Sequence, residues 1–212
     1  MKLKNLFKKL KPLTNICKVC FCEIDSLHQK WCLCQKCFEN LETIYSNFNL
    51  CGINCLAIYK YNEQIKSLIY QLKGCGDIEL ASIFLEYQKH FLRIKYRNYS
   101  IVSIPSWIED DKKRGFNHVE EIFKSLNLKT INCMRKIVPF KQSNLNKEER
   151  KKIVDKLEIV NHQQIVGQKI LIVDDIYTTG STIKAAIKLI SSCHPRDIKV
   201  LVLARNCRKK QD

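Results

Sequence analysis

The chain has 212 residues, 45% of them hydrophobic, and its 37 Lys and Arg against 21 Asp and Glu give a formal charge of +16. That length accommodates one α/β domain plus a small appendage and can bury a sizeable core. No apolar run approaches the ~18 residues of a membrane-spanning helix, which excludes such a helix, and the positive balance favours a polyanionic partner, nucleic acid or a phospholipid surface, over a neutral one.

Lysines interrupt the apolar residues between Met1 and Pro12, so the start of the chain is not a secretory signal. Leu3, Leu6, Phe7 and Leu10 share one helical face with lysines opposite, which makes residues 1–16 a basic amphipathic leader helix. Its stripe either packs on the rest of the protein or lies on an anionic membrane. Without an export signal, the twelve cysteines point to a reducing cytoplasm and to metal binding rather than disulfides. Six of the twelve fall between 17 and 37. Cys17-x2-Cys20 and Cys34-x2-Cys37 have zinc-ribbon or knuckle spacing, and four such thiolates close a tetrahedral structural Zn²⁺ site with no open position for catalysis. Cys22 and Cys32 are surplus and leave open which four bind. We place the zinc-binding module at residues 17–50 and the second domain at 51–212.

Residues 38–50 carry Leu41, Ile44, Tyr45 and Phe48 at helical spacing. Leu56 to Tyr61 reads as a strand, and Ile65, Leu68, Ile69 and Leu72 as a helical stripe broken by Lys73-Gly74-Cys75-Gly76-Asp77. From Ile78 the pattern is helical again and ends in a stretch, His90 to Tyr99, where aromatics alternate with cations. Such a stretch either stacks bases and neutralises phosphates or is a solvated helix end with its rings in the core. Ile101 to Pro105 is a short apolar strand, Lys112-Lys113-Arg114-Gly115 places cations beside a glycine, and Val119, Ile122, Phe123 and Leu126 mark the next helix. Met134 to Lys156 is polar and charged, as is a mobile arm over an anionic substrate or an ordinary surface excursion. A final strand, Ile198 to Ala204, leads into the basic tail Arg205, Arg208, Lys209 and Lys210.

The most informative stretch is 169–190. Ile170 to Val173 is apolar without alternation, the pattern of a strand buried on both faces of a parallel sheet, and we expect that strand to end where Asp174 and Asp175 arrive. A turn follows, with Thr178, Thr179, Gly180, Ser181 and Thr182, and then Ile183, Ala186, Ile187 and Ile190 fall at helical spacing. The helix start offers unpaired N–H groups to a phosphate, the hydroxyls add donors, and glycine lets the backbone approach closely. Like charges bar the two acids from that phosphate, but they can accept from a vicinal diol or flank a divalent cation. The ligand that satisfies both ends is a sugar phosphate.

Val173-Asp174-Asp175-Ile176-Tyr177-Thr178-Thr179-Gly180-Ser181-Thr182 resembles the phosphoribosyl pyrophosphate (PRPP) signature of type I phosphoribosyltransferases. Together with the two cysteine pairs, Tyr59-Lys60-Tyr61, the run Ile65 to Asp77, Ile101 to Pro105 and Arg114-Gly115-Phe116-Asn117, it resembles the ComF family of competence proteins over nearly the whole chain. The resemblance implies an α/β fold, a type I phosphoribosyltransferase-like parallel sheet flanked by helices with a small amino-terminal four-cysteine zinc module. It implies that residues 173–176 and 178–182 bind Mg²⁺-PRPP, the acids on the ribose hydroxyls and the loop on the 5′-phosphate, with Ser103 and Arg114 on the pyrophosphate side. Departures are Ser103-Ile104-Pro105 in place of Pro-Val-Pro, and His118 in place of Gln.

Two functions follow from the resemblance. One is a competence protein in natural transformation that uses the PRPP site as a ligand or regulatory pocket and binds single-stranded DNA. It would lie in the cytoplasm or at the inner face of the cytoplasmic membrane, with a competence helicase or other DNA-uptake proteins as partners. The other is a working phosphoribosyltransferase, with Asp174, Asp175 and Arg114 as its catalytic residues and a nucleobase or related acceptor.

Overall fold

A computed structural model describes residues 15–25, 32–137 and 156–206. The leader, apart from its last two residues, lies outside them, as do the middle of the polar arm and Arg208, Lys209 and Lys210 of the tail. Five strands form the main sheet: β1 (Thr43–Leu50), β2 (Ile53–Lys60), β3 (Ser100–Ser103), β6 (Lys169–Tyr177) and β7 (Asp197–Arg205), in the order β1-β2-β7-β6-β3. β2, β7, β6 and β3 run parallel, while β1 pairs antiparallel with β2. β4 (Met134–Ile137) and β5 (Lys156–Ile159) form a separate antiparallel pair at the two roots of the polar arm.

Burial on both faces explains the unalternated sequence of the central strands. Ile170 and Ile172 enter one apolar cluster and Leu171 and Val173 the other, all four fully buried. The helix expected after the acidic pair is α6 (Ser181–Ser191), and it buries Ile183, Ala186, Ile187 and Ile190 as its spacing requires. On the other face lie α2 (Glu63–Gly74), capped by the Asn62 side chain and burying Ile65, Leu68, Ile69 and Leu72, and α5 (His118–Lys124), burying Val119, Ile122 and Phe123. The helical stretch beyond Ile78 is split into a 3₁₀ helix, Ile78–Phe84, and α3 (Lys89–Lys95).

Two expectations change. Residues 38–50 are not a helix: α1 (Gln35–Glu39) stops early and Thr43–Leu50 is an edge strand. Ile44 and Phe48 lie on one face of an alternating strand, and the exposed Tyr45, at φ 42° in a bulge between Thr43 and Ser46, adds the apolar residue that gives 44, 45 and 48 a helical look. The hairpin turn Cys51-Gly52, both residues at positive φ, falls at the expected module boundary near residue 50, and β1 pairs with β2 across it. The second change is that β6 does not stop at the acids. It pairs with β7 as far as Tyr177↔Arg205, so Asp174 and Asp175 are strand residues.

The cysteine module and the sheet share one core, because Cys17, Ile24, Leu33, Cys37 and Leu41 pack in the same cluster as Leu56, Ile58, Tyr59 and Phe84. Lys18 reinforces the join, its Nζ 3.0 Å from Glu79 Oε2 and 3.2 Å from Ser82 Oγ. Beneath it the buried Tyr59 hydroxyl donates to the Phe84 carbonyl at 2.7 Å. Tyr59→Phe leaves that carbonyl without its partner and is expected to cost about 1–2 kcal/mol, read as a lower urea midpoint with an unchanged slope.

Candidate acidic cavity and cysteine cluster

A cavity of about 200 Å³ opens beside the carboxyl half of β6, lined by Lys73, Ile104, Pro105, Ser106, Trp107, Asp110, His118, Val119, Lys136, Asp174, Asp175, Ile176 and Thr182. Its position follows the general rule for open parallel sheets, in which ligands sit outside the carboxyl ends of the strands. Asp175 points toward α5, where Asn117 caps the helix and so places His118 in its first turn. His118 Nε2 lies 3.0 Å from Asp175 Oδ2, and Nδ1 lies 3.2 Å from Ser106 Oγ. An ionised carboxylate only accepts, so Nε2 carries the proton in this contact. Both residues are buried.

The two acids have opposite electrostatic fates. Burial pushes the Asp175 carboxyl upward, but the hydrogen bond from His118, the His118 and Lys73 charges and the Ile176 N–H outweigh it and hold the group at about 2. Asp174 is raised well above the usual carboxylate range, first by burial and then by the charge of Asp175 beside it. One acid is firmly ionised and its neighbour holds its proton more readily. Lys73, ending α2, and Lys136, whose Nζ sits 5.5 Å from the Trp107 ring centroid, supply positive charge at the same cavity.

The glycine of the following loop is dictated by geometry. Gly180 sits at φ 73°, and a Cβ there would fall 2.6 Å from Tyr177 Cε2. Tyr177 is itself fixed, its ring packing on Phe48 at 4.8 Å with the Arg205 guanidinium 4.3 Å above Phe48. Thr178, Thr179 and Ser181 are exposed around the head of α6, with Thr179 Oγ1 3.1 Å from Ser181 Oγ, and Thr182 reaches the cavity.

The remaining anticipated residues sit elsewhere. Val173 is core, and its carbonyl accepts from the Ile104 N–H at 2.9 Å. Ser103 is buried and not part of the lining, and it donates to Glu120 Oε1 at 3.3 Å. Arg114 ends α4 (Ile108–Arg114) and is not part of the lining; it holds Asp111 at 2.5 Å and the Lys73 carbonyl at 3.0 Å, which ties α4 to the end of α2.

The cysteine cluster meets the test for a structural metal. The Sγ atoms of Cys17, Cys20, Cys34 and Cys37 all lie within 4.8 Å of one another, against an edge of about 3.8 Å for sulfurs held tetrahedrally at Zn–S distances near 2.3 Å. Cys22 Sγ is 3.2 Å from Cys20 Sγ, close by but outside the set of four. The backbone N–H of Cys22, and then its thiol, pull Cys20 down to about 6, whereas burial pushes Cys37 up, so a metal is supported by the sulfur geometry. None of the described residues of the module lines the cavity.

Residues 112–212 match the phosphoribosyl transferase domain family. Over 155 residues the chain is 31% identical to the competence protein ComFC of Streptococcus pneumoniae, an alignment that spans 73% of this chain and 69% of that protein. The chain belongs to the ComFC family. With ComFC of Bacillus subtilis it shares 27% identity over 134 residues, 62% of this chain and 55% of that one. Among solved structures, an adenine phosphoribosyltransferase from Leishmania donovani superposes with a TM-score of 0.39 at 12% identity, covering 74% of this chain and 86% of that one, a likeness too loose to bear on function. This ComFC-family chain therefore has a type I phosphoribosyltransferase domain, a mixed sheet flanked by helices, and a cysteine cluster able to hold a metal such as zinc. No helix among its described residues is long and apolar enough to cross a membrane.

Sequence reasoning misses Lys73, Ser106 and Trp107 as cavity residues of this ComFC-family protein, and reaches Lys136 only as part of a polar stretch read as either an arm over an anionic substrate or a surface excursion. A lysine at a helix end and another in a polar excursion carry no local signature, and their convergence depends on how α2 and β4 pack. His118 stands out in the sequence only as a departure from the family pattern. Cys17→Ser is expected to lower zinc content and melting temperature, whereas Cys22→Ser keeps one zinc per chain by elemental analysis. Asp174→Asn raises the melting temperature at neutral pH, because a carboxyl whose folded pKa is raised costs stability once ionised. Asp175→Asn lowers it, because a depressed carboxyl stabilises the fold at every pH above its ordinary range and loses that contribution only as pH falls toward 2.

Proposed function

We propose that this protein binds Mg²⁺-PRPP in the cavity beside β6 and serves natural transformation as a competence protein that handles single-stranded DNA. The observation that carries the ligand is the joint lining of the cavity by Asp174, Asp175 and Thr182 with Lys73 and Lys136. Acidic acceptors suit the ribose hydroxyls, the loop ahead of α6 suits the 5′-phosphate, and the lysines suit the pyrophosphate. Magnesium arrives with the phosphates, and the acid pair is the carboxylate set that it can share. The competence role is supported by the two ComFC relatives, and the DNA partner by the charge of +16.

Turnover is the second reading, favoured by the ionised Asp175 in a site that pairs it with cations. Charge on the ribose side of the cavity stabilises an oxocarbenium-like carbon, and Lys73 and Lys136 stabilise the departing pyrophosphate. His118 holds the Asp175 carboxylate in place, and Ser106 orients His118 through its other ring nitrogen. Arg114 contributes by fixing the Lys73 backbone.

Calorimetric titration with Mg²⁺-PRPP tests the ligand, and binding is expected for the native chain. Asp175→Ala and Lys73→Gln should each weaken it by about tenfold or more, as for removal of one charge-assisted hydrogen bond, with zinc content unchanged. No heat of binding from the zinc-loaded protein sinks the ligand assignment. Pyrophosphate release on adding free bases distinguishes turnover from a binding-only pocket. Affinity for single strands should fall with salt at a log–log slope of roughly −0.7 per phosphate contacted.

A further inference from the structure

The cysteine cluster holds more sulfur than a metal needs. Cys17, Cys20, Cys34 and Cys37 make a complete tetrahedral set. Cys22 stands outside that set, yet its Sγ lies 3.2 Å from Cys20 Sγ, nearer than Cys34 Sγ at 3.6 Å. The turn that carries the pair is closed by two backbone hydrogen bonds, from the Cys17 N–H to the Cys22 carbonyl at 2.8 Å and from the Phe21 N–H to the Cys17 carbonyl at 2.9 Å. Phe21, between the two cysteines, sits at φ 60°, so the chain is not extended there and sulfurs two residues apart approach each other. Backbone geometry thus holds Cys22 against one particular ligand.

Exposure divides the five sulfurs. Cys17 and Cys37 are buried, Cys34 is half-buried, and Cys20 and Cys22 are exposed. An oxidant arriving from solvent therefore meets Cys20 and Cys22 first. A metal-held sulfur is a thiolate, the form that oxidants attack. Cys22, outside the set, keeps a thiol free to react with the product.

We propose that Cys20 and Cys22 are a peroxide-sensitive modification site, in which Cys22 is the resolving thiol that turns a metal ligand into half of a disulfide. The Cys20 thiolate attacks a hydroperoxide and the O–O bond breaks. Sulfur takes one oxygen as a sulfenic acid, and the other oxygen leaves as water or an alcohol. The Cys22 thiol then attacks the Cys20 sulfur, an S–S bond forms, and the sulfenic oxygen departs as water with the Cys22 proton. The two sulfurs lose two electrons and the peroxide gains them. Closure brings the sulfurs together by about 1 Å, to the ~2.05 Å of a disulfide. Pairing Cys20 with Cys34 instead would remove two ligands from the set, and that pair starts farther apart. With Cys20 oxidised, three thiolates remain and the site no longer closes round its ion. The module, whose Cys17, Leu33, Cys37 and Leu41 belong to the core under β2, loses that anchorage until a dithiol reverses the step by exchange. The inference is independent of the PRPP reading and needs only the four-sulfur metal site.

The test treats zinc-loaded full-length protein with hydrogen peroxide, follows zinc with a chelating dye, and maps disulfides by tandem mass spectrometry after free thiols are blocked. The native chain should lose its zinc as a Cys20–Cys22 disulfide appears, with a fall in melting temperature, and dithiothreitol with added zinc should restore both. Cys22→Ser keeps the four ligands but has no resolving thiol, so Cys20 goes on to the sulfinic acid and dithiothreitol does not restore zinc. Cys32→Ser, which removes the other cysteine outside the set, should behave as native. A first disulfide that omits Cys22, or full recovery of zinc by oxidised Cys22→Ser, overturns the assignment. So does a native chain that keeps its zinc throughout, or irreversible loss in Cys32→Ser instead. A native chain that takes up no zinc overturns the metal site and this inference together, and leaves the PRPP cavity untouched.

Discussion

Two carboxylates on consecutive residues of a buried strand repel one another, and in low dielectric that repulsion is large. The neighbourhood of Asp174 and Asp175 is organised by this constraint. His118 and Lys73 stabilise Asp175 as an anion, while Asp174 is left raised by burial and by its neighbour. Such a pair is costly unless something neutralises it, and perturbed acids in a cleft mark functional sites for that reason. A hydrogen-bond donor or a cation placed beside Asp174 would do for it what His118 already does for Asp175.

The compensating groups come from distant parts of the chain, so the site depends on the packing of both sheet faces. His118 is presented by α5 and Lys73 by α2, while Thr182 begins α6 on the opposite face. Arg114, in α4, ties to α2 through the Lys73 carbonyl, and Asp111, which it holds, accepts from Asn117 at the head of α5. On the loop side, Arg205 and Phe48 hold Tyr177 beneath Gly180, so β1 at the sheet's edge supports the turn that the acids lead into.

The cysteine cluster is fused to this framework, since its apolar residues continue the core beneath β2. A metal there would add to this burial by fixing the two short loops that carry the cysteine pairs.

Local pattern is sufficient wherever a segment's environment is uniform. Unbroken burial of Ile170 to Val173, the stripe of α6, the Asp-Asp-x-x-Thr-Thr-Gly run and the paired cysteines are all legible, because each needs only neighbours in sequence to state its chemistry. It fails where an exposed ring interrupts the reading of an alternating face, as Tyr45 between Ile44 and Phe48 makes a strand look like a helix, and where pairing with β7 carries β6 past its acids. Sequence alone thus determined the fold class, the acid pair, the glycine turn and the four sulfurs. Which cations face the acids, that Arg114 braces a helix rather than lining the cavity, and that His118 holds Asp175 were decided by tertiary structure, since charges compensate through space and their distances follow from how helices seat on the sheet.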